Sequence, residues 1–132
     1  MNIKNEIISA TAMLLAIAKA DKKIEKKELL SIHIIISDFY QIESKQEVDE
    51  FIQIALDMLN QSTDLFEFGK ILNQNWNYQD KVDFVNCMFE VSLADKNLYY
   101  LEEHIIKKVA TILNINHEDL IKSKIEMKKL FK

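Results

Sequence analysis

The chain contains no proline and a single glycine, Gly69, in 132 residues. Tight turns and hairpins draw on glycine for positive φ and on proline for a preset φ, so a fold of many short strands is nearly excluded. Long helices want an interior free of both residues. The class is therefore all-α. At this length one domain can bury roughly two thirds of the surface its unfolded chain exposes. Hydrophobic residues at 48% and charged residues at 29% suit a globular interior rather than a disordered tract.

Apolar residues recur at the helical period almost throughout. Residues 3–20 carry a stripe of Ile3, Ile7, Thr11, Leu14 and Ala18, widened by Ile8, Leu15 and Ile17, which places this helix at the centre of the core. The spacing predicts further helices over 26–40, 45–60, 63–74, 78–94 and 99–113, with inward stripes such as Leu29, Ile32, Ile35, Ile36 and Phe39 in the second. Ser44 and Glu47 read as a capping box, Asn77 as a cap, and Asn116 with Asp119 as the start of a seventh helix. No linker or low-complexity tract interrupts residues 1–132, so one compact domain of about seven antiparallel helices is expected.

The first twenty residues mimic a signal peptide, with Lys4, an apolar run Ile7–Ala18 and a small-residue pattern at Ala18-Lys19-Ala20. Glu6 stands where a positive region belongs, and the closing "AIAKAD" recurs in mid-chain as "EVSLAD", where no signal can act. A first helix of a cytoplasmic protein is the preferred reading, and the run is shorter than the about 20 apolar residues a bilayer span needs.

Net charge is −4 and all 17 basic residues are lysine. Without arginine and with an acidic balance, the chain lacks the electrostatic footprint of a nucleic-acid binder. The lone Cys87 lies in the apolar "FVNCMFEVSLA", which favours a small buried hydrophobe over a nucleophile. His33, His104 and His117 have no zinc spacing, and one glycine cannot build a nucleophile elbow or a phosphate loop. An enzyme is not expected. Lys122, Lys124, Lys128, Lys129 and Lys132 give a basic last helix that also carries Ile121, Ile125, Leu130 and Phe131. Docking with a solvated lysine face is the simpler reading, and peripheral contact with an anionic membrane is the lesser alternative.

The most informative pattern occurs twice. "AKADKKIEKKE" (18–28) and "SLADKNLYYLE" (92–102) align at a constant offset of 74 residues, and the match runs on as Ile32 with Ile106 and Ile35 with Val109. Each copy reads as helix, Ala-Asp turn, helix, giving two pseudo-symmetric hairpins. The paired acids are Asp21 with Glu28 and Asp95 with Glu102. They support two readings. As oxygen donors across a short connection they suit Ca²⁺, Mg²⁺ or Mn²⁺, with Glu25 and Glu103 as additions. As caps, Glu28 and Glu102 occupy the third position of their helices, where a carboxylate meets unpaired amides and the positive end of the dipole.

With its A-D-x-x-[hydrophobic]-x-x-x-E motif present twice, the chain resembles the tellurite-resistance protein B-like (TerB-like) family over nearly its whole length. The resemblance implies an all-helical fold and a metal site at Asp21, Glu28, Asp95 and Glu102, for a divalent cation such as Ca²⁺, Mg²⁺, Mn²⁺ or Zn²⁺. It also implies a role in stress- or envelope-associated systems. The family usually has glycine after the Asp, whereas this chain has Lys22 and Lys96. Lysine makes a positive φ costlier there and sets a cation beside the carboxylates. The expected function is a non-enzymatic helical module that binds a divalent cation. The alternative is a protein–protein interaction scaffold, with a protein partner or self-association, in which the acids only cap helices. Adjacent Tyr99 and Tyr100 cannot both be buried on one face, so one of them is a candidate partner contact.

Overall fold

A computed structural model describes residues 3–20, 23–61 and 64–131. Seven helices and no strand occur among them: α1 (Ile3–Ala18), α2 (Lys26–Phe39), α3 (Lys45–Asn60), α4 (Leu65–Asn75), α5 (Tyr78–Ser92), α6 (Tyr100–Ile112) and α7 (His117–Leu130). Each expected helix is present, with ends shifted by one or two residues. None is long and apolar enough to cross a membrane.

Helix α1 lies at the centre and packs against α2, α3, α4, α5 and α6. Its burial explains its composition: Ile7, Met13, Leu14, Leu15 and Ile17 are enclosed, and so is Thr11, whose hydroxyl donates back to the Ile7 carbonyl at 2.7 Å. Outside this hub, α2 touches α3 and α5, α4 touches α6, and α7 docks on α5. The docked face of α7 is Leu120, Ser123 and Met127, while Ile125 and Leu130 face outward. Its inner face is therefore narrower than the apolar residues of that segment suggest.

Without glycine at its helix ends, the chain closes them with other residues. Gln41 (φ 53°) and Asn114 (φ 62°) take the left-handed conformation after α2 and α6. In each case the next residue donates back five positions, Ile42 to Ser37 and Ile115 to Ala110, both at 2.9 Å. Ile42 and Ile115 also pack against the core, completing a Schellman closure. At the starts, Ser44 accepts from the Glu47 amide at 3.2 Å, and Asn77 and Asp80 form a reciprocal capping box. Asp64 caps α4 by accepting from the Phe66 amide, which moves the start of that helix from 63 to Leu65. Asn116 does not cap with its side chain. Instead its amide donates to the Tyr78 hydroxyl, which in turn donates to Asp119, binding the start of α7 to the start of α5.

Gly69 is needed for a close approach. A Cβ at this position would lie 2.1 Å from Cγ2 of Ile112, so only the bare backbone lets α4 and α6 meet. Nearby, the Asn73 amide donates to the Ile112 carbonyl at 3.0 Å.

Candidate functional site

The two acidic turns join α1 to α2 and α5 to α6. Asp21 and Lys22 lie outside the described residues. In the first turn Glu28 is the third residue of α2, is only 1% exposed, and accepts from the Glu25 amide at 3.1 Å. A carboxylate here satisfies one of the orphan amides at the helix start and meets the positive end of the helix dipole.

In the second turn Glu102 holds the matching third position of α6 and is equally buried. Its carboxylate accepts from the Ser92 hydroxyl at the end of α5 at 2.8 Å. The first hairpin has Ala18 in the place of Ser92, so this bond across the turn belongs to the second copy alone. Asp95 lies nearer the surface, where Oδ1 accepts from the Asn97 amide at 3.2 Å. Its carboxylate also engages the Tyr99 hydroxyl and raises that phenol above its ordinary range. Lys96 takes φ 71°, the left-handed geometry for which glycine is the usual choice. Glu103 points elsewhere: burial pushes its carboxyl up, but Lys124 of α7 and Lys107 more than offset this and hold it below the usual range.

Among the described residues no cluster of candidate metal donors gathers at the two turns. Glu28 and Glu102 are turned into the protein and bonded there, and no group of three His, Cys, Asp or Glu side chains is close enough to share an ion. His104 and His117 are exposed. His33 is half-buried between α2 and α3, 3.1 Å from Asp49 and 3.3 Å from the Lys45 carbonyl. Burial, helped by Glu90 and Asp83, pushes the Cys87 thiol up to about 12, so it stays protonated at neutral pH.

A third buried carboxylate has no counterpart in the motif. Oε2 of Glu6 accepts from the Tyr40 hydroxyl at 2.6 Å and from the Trp76 indole at 3.0 Å, joining the start of α1 to the ends of α2 and α4. Burial, then Glu6, lifts the Tyr40 phenol far above its ordinary range. Phe39, Trp76 and Phe84 surround the group with tilted and edge-on ring contacts.

The outer face of α2 leaves three large apolar side chains to solvent. Leu30 is 61% and Ile34 48% exposed, one turn apart, with Leu29 beside them. A groove of about 560 Å³ between α2 and α3 runs along this edge, lined by Leu29, Leu30, His33 and Ile52. On the other side, Ile34, Asp38, Cys87 and Glu90 line a recess of about 250 Å³. Leu30 and Ile34 fall off the inward stripe of α2, and that mismatch is the signal in the sequence that could have found them. Tyr99 and Tyr100 are both exposed.

A model of the family described as "Tellurite resistance protein TerB" matches residues 8–125. Searches of curated proteins and of solved structures return no match.

Proposed function

The chain belongs to the tellurite resistance protein TerB family, and on that premise we propose that it works as a non-enzymatic helical module that binds another protein. The inward placement of Glu28 and Glu102 carries this reading. Both sit at the third position of a helix, both are buried, and both are hydrogen-bonded within the fold, so their role is to fix the two hairpins. The exposed apolar face of α2 supplies a surface of the kind that partners cover.

A divalent cation held by Asp21, Glu28, Asp95 and Glu102 is the competing reading, and family membership is what favours it. A metal-stripped sample heated with Ca²⁺, Mg²⁺, Mn²⁺ or Zn²⁺ separates the two. The proposal expects the same melting temperature with every ion, in the wild type and in the Asp21→Asn/Asp95→Asn double variant. A rise with one ion that disappears in the double variant would make the turns ligands and overturn it.

A further inference from the structure

Helix α2 carries its surface charges against its own dipole. Lys26 and Lys27 are exposed in the first turn, where the helix end is positive, and Asp38 is exposed in the last turn, where it is negative. Between these ends lie Leu30 and Ile34. Glu90 of α5 reinforces the acidic end: burial raises its carboxyl, and the neighbouring Asp38 raises it further. No ion pair involves Lys26, Lys27, Asp38 or Glu90 among the described residues. The face is thus cationic at one end, apolar in the middle and anionic at the other.

Such a pattern is complementary to itself when reversed. Resting on the interaction-module reading, we infer that the α2 face is a homodimer interface in which α2 of two copies pack antiparallel about a twofold axis. With Leu30 against the partner's Ile34, the same register sets Lys26 against the partner's Asp38, and the twofold repeats both contacts. The separation fits, because Lys26 and Asp38 lie about 18 Å apart along a helix at 1.5 Å per residue, so the charges flank the apolar centre. Each anionic end then meets the positive start of the other helix, which reverses the mismatch that each copy carries alone. A parallel pairing would set like charges together. One helix face with its edges covers less than the roughly 800 Å² per partner of a stable complex, so the dimer is weak, on the order of tens of micromolar.

The test is sedimentation equilibrium of the full chain from micromolar to millimolar concentration, with folding of each variant checked by its melting curve. The wild type should pass from monomer to dimer across this range. Ile34→Glu should remain monomeric. Lys26→Glu and Asp38→Lys should each raise the dissociation constant about tenfold or more, and the combined Lys26→Glu/Asp38→Lys variant should recover the dimer to within a few-fold. A wild type that is monomeric at millimolar concentration, a dimer indifferent to Ile34→Glu, or charge reversals without mutual rescue would each overturn the inference. A monomeric chain that captures a different protein through α2 would also overturn it, yet leave the interaction-module reading intact. A cation-dependent melting shift removed by Asp95→Asn would do the reverse.

Discussion

Replacing Gly69 with alanine puts the approach of α4 to α6 to a quantitative test. The new methyl would sit 2.1 Å from Cγ2 of Ile112, about 1.3 Å inside the 3.4 Å at which ordinary contact begins. Ile112 is β-branched and helical, so its χ1 has little freedom to swing the methyl aside. The helices must instead separate, straining the bond from Asn73 to the Ile112 carbonyl. Two effects oppose each other. Alanine favours the helix by about 1 kcal/mol over glycine, whereas overpacking a tight core costs about 1–3 kcal/mol, and a clash this close belongs at or above the top of that range. The net expectation is a loss of about 2 kcal/mol, or a fall in melting temperature of about 6–10 °C. Urea unfolding followed by the fluorescence of the buried Trp76 would measure it. Leucine at 112 has no Cγ2, so in an Ile112→Leu background the same Gly69→Ala change should be neutral or stabilising. If Gly69→Ala alone proves as stable as the wild type, or loses equally in both backgrounds, the close contact is not what selects glycine there.

Three further outcomes follow from the described geometry. Lys96→Gly should raise stability by about 0.5–1 kcal/mol in chemical denaturation, because glycine holds a positive φ without the steric cost that lysine bears. Tyr40→Phe should lose about 1.5–3 kcal/mol by removing a bond to a buried carboxylate, with a shifted Trp76 emission as a local reporter. Lys124→Gln should cost about 0.5–1 kcal/mol at pH 7 and nothing near pH 2, read as the difference between the two urea curves at each pH. The sign follows from Glu103, whose depressed folded pKa makes the pair's contribution complete above the unfolded carboxyl value and lost as pH falls through the folded one.

The order and number of helices were legible because nothing in the sequence interrupts the apolar period, and Ser44 and Asn77 announced two helix starts. Contacts between distant residues were not. Glu6 read only as a charge out of place in a signal peptide, since its partners stand 34 and 70 residues away and no local pattern joins them. Asn116 carried a sound capping signature, but the Tyr78 hydroxyl from another helix accepts from the Asn116 amide, the bond that Asp119 would make in a capping box. The repeat correctly located both glutamates at the third helical position, though spacing alone gives no direction into or away from solvent. Their inward turn emerges only once α1 and α5 are in place. Asp21, the other member of the first pair, lies outside the described residues.

The central position of α1 also bears on how the chain is made. Its sequence leaves the ribosome before that of α2 through α6, whose surfaces cover it. Nearly two turns of continuous apolar helix must therefore wait until about residue 112 has been synthesised before they are enclosed. During that interval the segment that so resembles an export signal is also the stickiest part of the nascent protein. Its apolar run and its late enclosure have one origin: a hub helix made before the helices that cover it.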